Sequence, residues 1–329
     1  DLSEKAKGNF NNNFRDAVKL SSPYFIISKL YNNIGNAYNK IGNYKLAETY
    51  LTKAMHFENN SYILNNLALS LKAQGKNTKA INFLLKASKI DPNSAKIYFN
   101  LAETYLSSGD KKNTIECLNK TIEIDPNHIG AKFKKNILLG NFFGKIPRNY
   151  LERHFDNYSE TFDEHLIKTL QYNVPTVLSQ IINSKYPEDY KFDNILDLGC
   201  GTGLCGLRIN KSYKKLVGLD ISKHMLLKAK EKLIYTDLFH LDIIDYCNST
   251  KDKYELIIAG DVLIYFGDLH ELFKTSFSVM QNGARFLFSI EVQNLGKYKA
   301  QLNGRFTHSF SYIKRLCKEH GFFIEFVQD

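Results

Sequence analysis

The sequence has no tryptophan and only five cysteines in 329 residues. The cysteines stand at 117, 200, 205, 247 and 317, an odd number with no Cys-x-x-Cys pair. Neither a disulfide framework nor a cysteine zinc site is indicated, and no metal is expected. A reducing, cytoplasmic setting fits that usage. No uninterrupted apolar run approaches the ~20 residues of a membrane span. A signal-peptide pattern is missing too, although a start at Asp1 rather than Met leaves an upstream targeting segment open. The lack of tryptophan beside abundant Asn and Lys fits a biased genome composition as well as it fits a functional constraint. Apolar residues at 43% and charged residues at 24% are ordinary for a globular chain, and its length suggests two domains.

Acidic residues are scarce in one half only. Residues 1–149 hold 22 Lys+Arg against 11 Asp+Glu, whereas residues 150–329 hold 22 against 23, so the net charge of +10 comes from the first half. Such a half suits an acidic partner, nucleic acid or an anionic surface, and equally a solvated lysine coat.

That half also repeats. Tyr31-x-x-Ile34-Gly35-x-x-Tyr38 recurs as Leu64-x-x-Leu67-Ala68-x-x-Leu71 and as Tyr98-x-x-Leu101-Ala102-x-x-Tyr105, at offsets of 33 and 34 residues. Each copy continues with a glycine (Gly42, Gly75, Gly109) and a small/large pair (Ala47/Leu51, Ala80/Leu84, Thr114/Leu118). A further small residue follows (Ala54, Ala87, Thr121), and each copy closes near Asn59, Pro92 or Pro126. The first stripe has helical spacing, the glycine permits a tight reversal, and Asp-Pro stops the second helix. The pattern resembles the tetratricopeptide repeat. Three full repeats are expected over about 28–127, with a truncated repeat around Ala17 and a capping helix over 129–143, in a helical solenoid covering 1–146. Similar arrays bind peptides in a concave groove. Asn33, Asn66 and Asn100 share one position, where a ladder of amides can pair with an extended backbone. A protein or peptide is therefore the expected partner.

The second half, 147–329, reads as an α/β doubly wound, Rossmann-like domain with its core over 193–329. A buried strand at Asp193–Leu198 runs into Gly199-x-Gly201-x-Gly203 and then a helix pattern. Further strands are expected at Lys215–Leu219, Leu238–Leu241, Glu255–Ala259, Arg285–Ile290 and Phe322–Val327. The third glycine comes too early for the dinucleotide pattern G-x-G-x-x-G, whose loop cradles a pyrophosphate. Asp197-Leu198-Gly199-Cys200-Gly201-Thr202-Gly203 closely resembles motif I of class I methyltransferases instead.

That resemblance implies S-adenosylmethionine as cofactor and assigns roles to residues. Asp197, Gly199, Cys200, Gly201 and Gly203 would form its cradle. Asp220 would accept the ribose hydroxyls, with Ile221 and Met225 beside it. Asp242 would accept the adenine amino group next to Ile243, and Asp261 would open the methyl-transfer site. These acids follow strand ends, where open α/β sheets bind ligands. Phe155-Asp156-x-Tyr158-x-x-x-Phe162-Asp163-x-His165-Leu166, with Leu170-x-Tyr172-x-x-Pro175 after it, is similar to the helical prelude of bacterial predicted methyltransferases fused to tetratricopeptide repeats. It implies a lid of helices over about 150–182, with Tyr158 and His165 at the cofactor. Gly304-Arg305-Phe306-x-His308-Ser309 also resembles that group. Related domains carry a seventh strand, whereas this sequence stops at Asp329, inside or just after the sixth, so either the chain or its sheet edge is expected to be incomplete.

A sulfonium methyl is already activated, so the enzyme must align a nucleophile and exclude water. A base is needed only for a protonated nucleophile. His308, in a loop after the fifth strand, is the first candidate for a substrate-side group, followed by Tyr265 and Asp261. Glu291 is placed to position an amine, and His270 reads as structural or solvated. The expected activity is methyl transfer to a protein or peptide recruited by the repeats. The alternatives are a small-molecule acceptor with repeats used for assembly, or an idle scaffold. With no Asn-Pro-Pro-Tyr-type motif or RNA-binding module, nucleic acid is not the expected substrate.

Overall fold

The computed structural model describes residues 23–328 apart from 141–145, 161, 170 and 210. It divides into two compact units that part between Leu138 and Leu139. The expected truncated repeat around Ala17 and the end of the expected capping helix lie outside the described residues.

The first unit is a run of paired helices: α1 (Pro23–Lys40), α2 (Tyr44–Phe57), α3 (Ser61–Ala73), α4 (Asn77–Ile90), α5 (Ala95–Ser107), α6 (Lys111–Ile124) and the cap α7 (Ile129–Leu138). Each reversal has a left-handed glycine, with φ of 76° at Gly42, 74° at Gly75 and 77° at Gly109. After each one, the next amide bonds back to the carbonyl five residues earlier, as Asn43 does to Tyr38, Lys76 to Leu71 and Asp110 to Tyr105. Asn43, Asn60 and Asp110 cap the helices that follow. The small/large pairs are the core, since Ala47, Leu51, Ala80, Leu84 and Leu118 are all fully buried. Thr114 and Thr121 serve where the other repeats have alanine, because each hydroxyl donates to a carbonyl four residues back. Gly35 lets α1 and α2 approach closely, for a Cβ there would sit 2.5 Å from Leu51 Cγ.

The second unit holds α8 (Arg148–Tyr158), α9 (Phe162–Glu164), a π-turn at His165–Thr169, α10 (Val174–Lys185), β1 (Lys191–Leu198), α11 (Leu204–Leu207), β2 (Ser212–Asp220), α12 (Lys223–Glu231), β3 (Asp237–His240), α13 (Ile243–Ser249) and β4 (Tyr254–Ala259). A 3₁₀ turn at Leu263–Tyr265 leads to α14 (His270–Ser278), β5 (Met280–Phe288), β6 (Glu291–Gln293), β7 (Tyr298–Ala300), β8 (Phe306–Ser309) and α15 (Phe310–Glu319). The five longer-range strands form a parallel sheet in the order β3-β2-β1-β4-β5. Leu196, Leu198, Val217 and Ile257 pack on one side with α13, α14 and α15, while Ile195, Leu216, Leu256 and Ile258 pack on the other with Leu178 and Ile182 of α10. Burial on both faces explains why these strands read as continuous apolar runs.

Three expectations are corrected here. The segment expected as a lid over 150–182 ends earlier, because α10 is a core helix. The expected strand at Phe322–Val327 forms no ladder: Phe322 and Ile324 pack on the core and Phe323 is exposed, yet the backbone joins no sheet. Side-chain bonds hold it instead, with Arg285 donating to both oxygens of Glu325 at 2.8 and 3.3 Å. Finally, the expected loop around His308 is a strand, β8, between β6 and β7 in a separate three-stranded sheet.

Candidate functional site

The site grows from the carboxyl ends of β1, β2 and β4. Gly199, Gly201 and Gly203 have φ of 61°, 54° and 90°, a conformation that side chains with a Cβ rarely adopt. The three glycines face different surroundings. A Cβ on Gly199 would meet Val262 at 2.5 Å, and one on Gly203 would meet the Tyr235 ring at 2.9 Å. At Gly201 the nearest atom would be Cε1 of Phe162, 4.0 Å away. Space is therefore left open above Gly201, beneath a ring of the α8–α9 segment.

Asp220 ties this loop to the next. Its Oδ2 accepts from Gly201 N at 2.9 Å and its Oδ1 from Ser222 N at 2.7 Å. Each carboxylate oxygen has a second lone pair, so the group can still accept hydroxyls. Burial pushes its carboxyl up to about 6, against the pull of the backbone donors. Asp197, one strand away, is pushed up to about 7, mainly by burial and further by the Asp220 charge. Asp197 Oδ2 accepts from the Tyr235 hydroxyl at 2.6 Å, so this acid anchors the loop from behind. Cys200 N donates to Leu219 O at 2.8 Å, and the Cys200 thiol is buried. Sequence reasoning missed Tyr235. No local signal marked it, for only the fold shows that a Cβ on Gly203, Gly206 or Gly218 would meet the Tyr235 side chain at 2.9 Å or less. Three glycines make room for one half-buried tyrosine.

Ile221 follows Asp220 and its carbonyl lies 2.7 Å from His240 Nε2; Met225 is buried on α12. Asp242 caps α13 by accepting from Ile244 N at 2.9 Å through Oδ1, and Ile243 is buried beside it. Asp261 follows β4 with φ of 55°, uncommon for a residue other than glycine and a place to look for function. Its Oδ1 accepts from Ser289 Oγ at 2.8 Å, and the Tyr172 hydroxyl lies against the same carboxylate. Burial pushes the Tyr265 hydroxyl up to about 12, so it remains a hydrogen-bond donor at neutral pH. Arg305 lies against that hydroxyl and bonds Glu291 Oε1 at 2.7 Å. Glu291 begins β6 rather than ending the fifth strand.

His308 departs from expectation. It is fully buried on β8, and its Nε2 lies 2.9 Å from Phe266 O and 3.2 Å from Gly267 O. Burial lowers its pKa, which favours a neutral ring donating to those carbonyls. It fixes the turn after Tyr265 from inside; no exposed loop presents it to a substrate.

The lid expectation gains definite fastenings. Asp156 Oδ1 accepts from Ser222 Oγ at 2.6 Å and lies 3.0 Å from His224 Nδ1. Burial pulls its carboxyl upward, but the bonds from Ser222 and His224 outweigh that and hold it below the usual range. Asp163 accepts from Thr202 Oγ1, and Lys232 joins Asp163 Oδ2 at 2.8 Å to Thr202 O at 2.7 Å. Tyr158 and His165 are hydrogen-bonded to each other. Rings close the space between: Phe155 meets Tyr265 at 5.3 Å and Tyr158 meets Phe162 at 5.0 Å between centroids.

In the repeats, the expected amide ladder is displaced. Asn33 is exposed, and Asn32 takes the buried place. Asn66 Nδ2 donates to Asn32 Oδ1 at 3.0 Å, and Asn100 Nδ2 donates to Asn65 Oδ1 at 2.7 Å. These amides use their groups on one another across successive helices, so the ladder read from Asn33, Asn66 and Asn100 does not stand free.

Comparison with known proteins agrees with the two-part architecture. Residues 195–283 match the methyltransferase domain family, and residues 28–58, 68–109 and 95–128 match tetratricopeptide repeat families. The chain is 28% identical over 147 residues to malonyl-[acyl-carrier protein] O-methyltransferase 1 of Ilyobacter polytropus, covering 44% of this chain and 53% of that one. It is 27% identical over 133 residues to magnesium-protoporphyrin O-methyltransferase of Rhodobacter capsulatus, covering 36% and 58%. The chain thus spans about half the length of such curated relatives. Among solved structures, the magnesium protoporphyrin IX methyltransferase of Synechocystis with bound SAM aligns at a TM-score of 0.41 and 17% identity, over 55% of this chain and 88% of that one. No helix among the described residues is long and apolar enough to cross a membrane.

Proposed function

We propose that this chain, a methyltransferase domain preceded by tetratricopeptide repeats, transfers a methyl group from S-adenosylmethionine to an acceptor. The observation that carries the reading is the cradle in which Asp220 bonds both Gly201 N and Ser222 N beside the open face of Gly201. When bound, the cofactor supplies an already activated methyl group on a sulfonium. The free lone pairs of Asp220 suit its ribose hydroxyls, and the unused oxygen of Asp242 suits its adenine amino group. Gly199, Cys200 and Gly203 shape the cradle, with Asp197 and Tyr235 holding it from behind. Phe155, Tyr158, Phe162 and Tyr265 shield the open space from water, and such rings attract a cation such as a sulfonium. On the acceptor side, Tyr265 donates a hydrogen bond beside Arg305, while Asp261 is held at the mouth by Ser289 and Tyr172.

The acceptor we favour is a protein or peptide brought in by the repeats, since one chain joins a repeat array of a peptide-binding type to a transfer domain. We take the boundary between the two near residues 146–147. The closed ring cluster and the magnesium-protoporphyrin acceptor in one relative's name favour a second reading, an acceptor small enough to enter alone. Incubating the full chain with a cell lysate and S-adenosylmethionine labelled on its methyl group tests both. Label in protein supports the first, label in small molecules supports the second, and no transfer at all to any fraction counts against methyl transfer.

A further inference from the structure

Away from the glycine loop, two imidazoles and a carboxylate converge. His270 opens α14 and His320 follows the last turn of α15, with His270 Nδ1 and His320 Nε2 only 3.3 Å apart. Glu319 Oε2 lies 3.5 Å from the same His270 nitrogen, and each of the three residues offers one ligand atom within 4.8 Å of the others'. We propose that His270, Glu319 and His320 bind a zinc ion that ties the start of α14 to the end of α15. The proposal is independent of methyl transfer.

Two features carry it. A ring nitrogen has either one proton or one lone pair, so His270 Nδ1 cannot serve two partners at full strength. It nevertheless faces both His320 Nε2 and Glu319 Oε2. One cation among the three atoms satisfies them together. The spacing also fits zinc: tetrahedral bonds of about 2.05 Å put neighbouring nitrogens about 3.3 Å apart and a nitrogen and an oxygen about 3.4 Å apart. The two separations from His270 Nδ1 match these edges.

The surroundings hold the ligands in place. His270 N donates to Asp268 Oδ1 at 2.9 Å, and Tyr312 OH joins Asp268 to the neighbouring Leu269 amide. Arg315 Nε lies 3.5 Å from Glu319 Oε1, leaving Oε2 for the metal. Glu319 is exposed and both histidines are partly so, which gives an ion entry and water the fourth position. Two imidazoles with one carboxylate suit zinc, with copper and nickel as competitors, whereas calcium and magnesium prefer oxygen ligands throughout.

The test is calorimetric titration of the chelator-treated full chain with zinc chloride, with a melting curve at each zinc concentration. One equivalent should bind and raise the melting midpoint, as expected for a ligand that prefers the folded state. His270→Ala and His320→Ala should each weaken binding at least about tenfold, the least that losing even an outer-shell partner costs. Glu319→Gln, which keeps the side chain's shape, should weaken it as well, and His56→Ala on α2 should leave it unchanged. Circular dichroism establishes that each variant is folded. Absence of zinc uptake, or undiminished uptake in the His270→Ala/His320→Ala double variant, overturns the site.

Discussion

The two units bury polar groups in opposite ways. In the repeats the fully buried polar residues are neutral and bond neutral partners, amide to amide in Asn66–Asn32 and hydroxyl to carbonyl in Thr121–Cys117. In the second unit two carboxylates are buried, Asp197 at 1% and Asp220 at 9% exposure, where neighbouring parallel strands end. A closed neutral network fixes how helices meet. A buried carboxylate carries a desolvation cost, and where such groups cluster with perturbed pKa values a functional site is the first candidate. The repeats therefore have the chemistry of a scaffold, and the strand ends have the chemistry of a site.

The harshest way to break this comparison is to damage the scaffold and ask whether the site notices. Leu84→Ala removes a fully buried side chain from between Ala80 and Ala87. It should cost the repeat unit about 2–5 kcal/mol, the range for truncating a buried leucine. Denaturant unfolding followed by circular dichroism reads the loss. Cofactor affinity, measured by calorimetry, should stay within about twofold, because every cradle residue belongs to the second unit. A parallel loss of affinity would show that the two units are not separable in this sense.

Damage to the site should do the reverse. Asp220→Ala deletes the acceptor for Gly201 N and Ser222 N as well as the expected ribose partner. Leaving donors unpaired and losing charge-assisted bonds should weaken S-adenosylmethionine binding about a hundredfold or more, roughly 2.7 kcal/mol. Near-native affinity in calorimetry would remove Asp220 from the cradle. Around the loop, Gly201→Ala and, on α11, Gly206→Ala should part company. Gly201 needs positive φ but faces open space, so alanine should cost about 1–2 kcal/mol of backbone strain and lower affinity. At Gly206 a Cβ would lie 2.6 Å from Tyr235 Oη, so alanine there should lower the melting midpoint more.

How much of this was legible in the sequence depends on whether the signal is local. The repeat period and the loop from Asp197 to Gly203 were legible because the residues that explain them are neighbours. Asp220, Asp242 and Asp261 were legible because strand ends follow from apolar runs. Tyr235 was not, since its partner Asp197 lies 38 residues away and only the fold joins them. Asp156 and Asp163 escaped a role for the same reason, as their partners Ser222 and Lys232 stand on other loops. His308 was misread because Gly304 and Arg305 signal a turn, and the four-residue β8 behind them is too short to announce itself. Phe322–Val327 is an apolar run broken only by Glu325, but a strand needs a neighbour's edge as well as a run.

The smallest expected effect probes the buried carboxylates most directly. With folded values near 7 for Asp197 and 6 for Asp220, both groups bind protons more tightly in the folded chain than in the unfolded one. Their contribution to stability is then full below about pH 4, the ordinary carboxylate value, and is lost as pH rises through the folded values. Without cofactor, these two groups make the second unit less stable at pH 8 than at pH 5. Asp197→Asn removes one charge and keeps an oxygen that can accept from Tyr235. The variant should therefore flatten this pH dependence, gaining stability at pH 8 relative to pH 5. Melting curves of both proteins at the two pH values give the comparison. An unchanged pH dependence in the variant would mean that Asp197 carries no desolvation cost, and the contrast with the neutral network of the repeats would then rest on Asp220 alone.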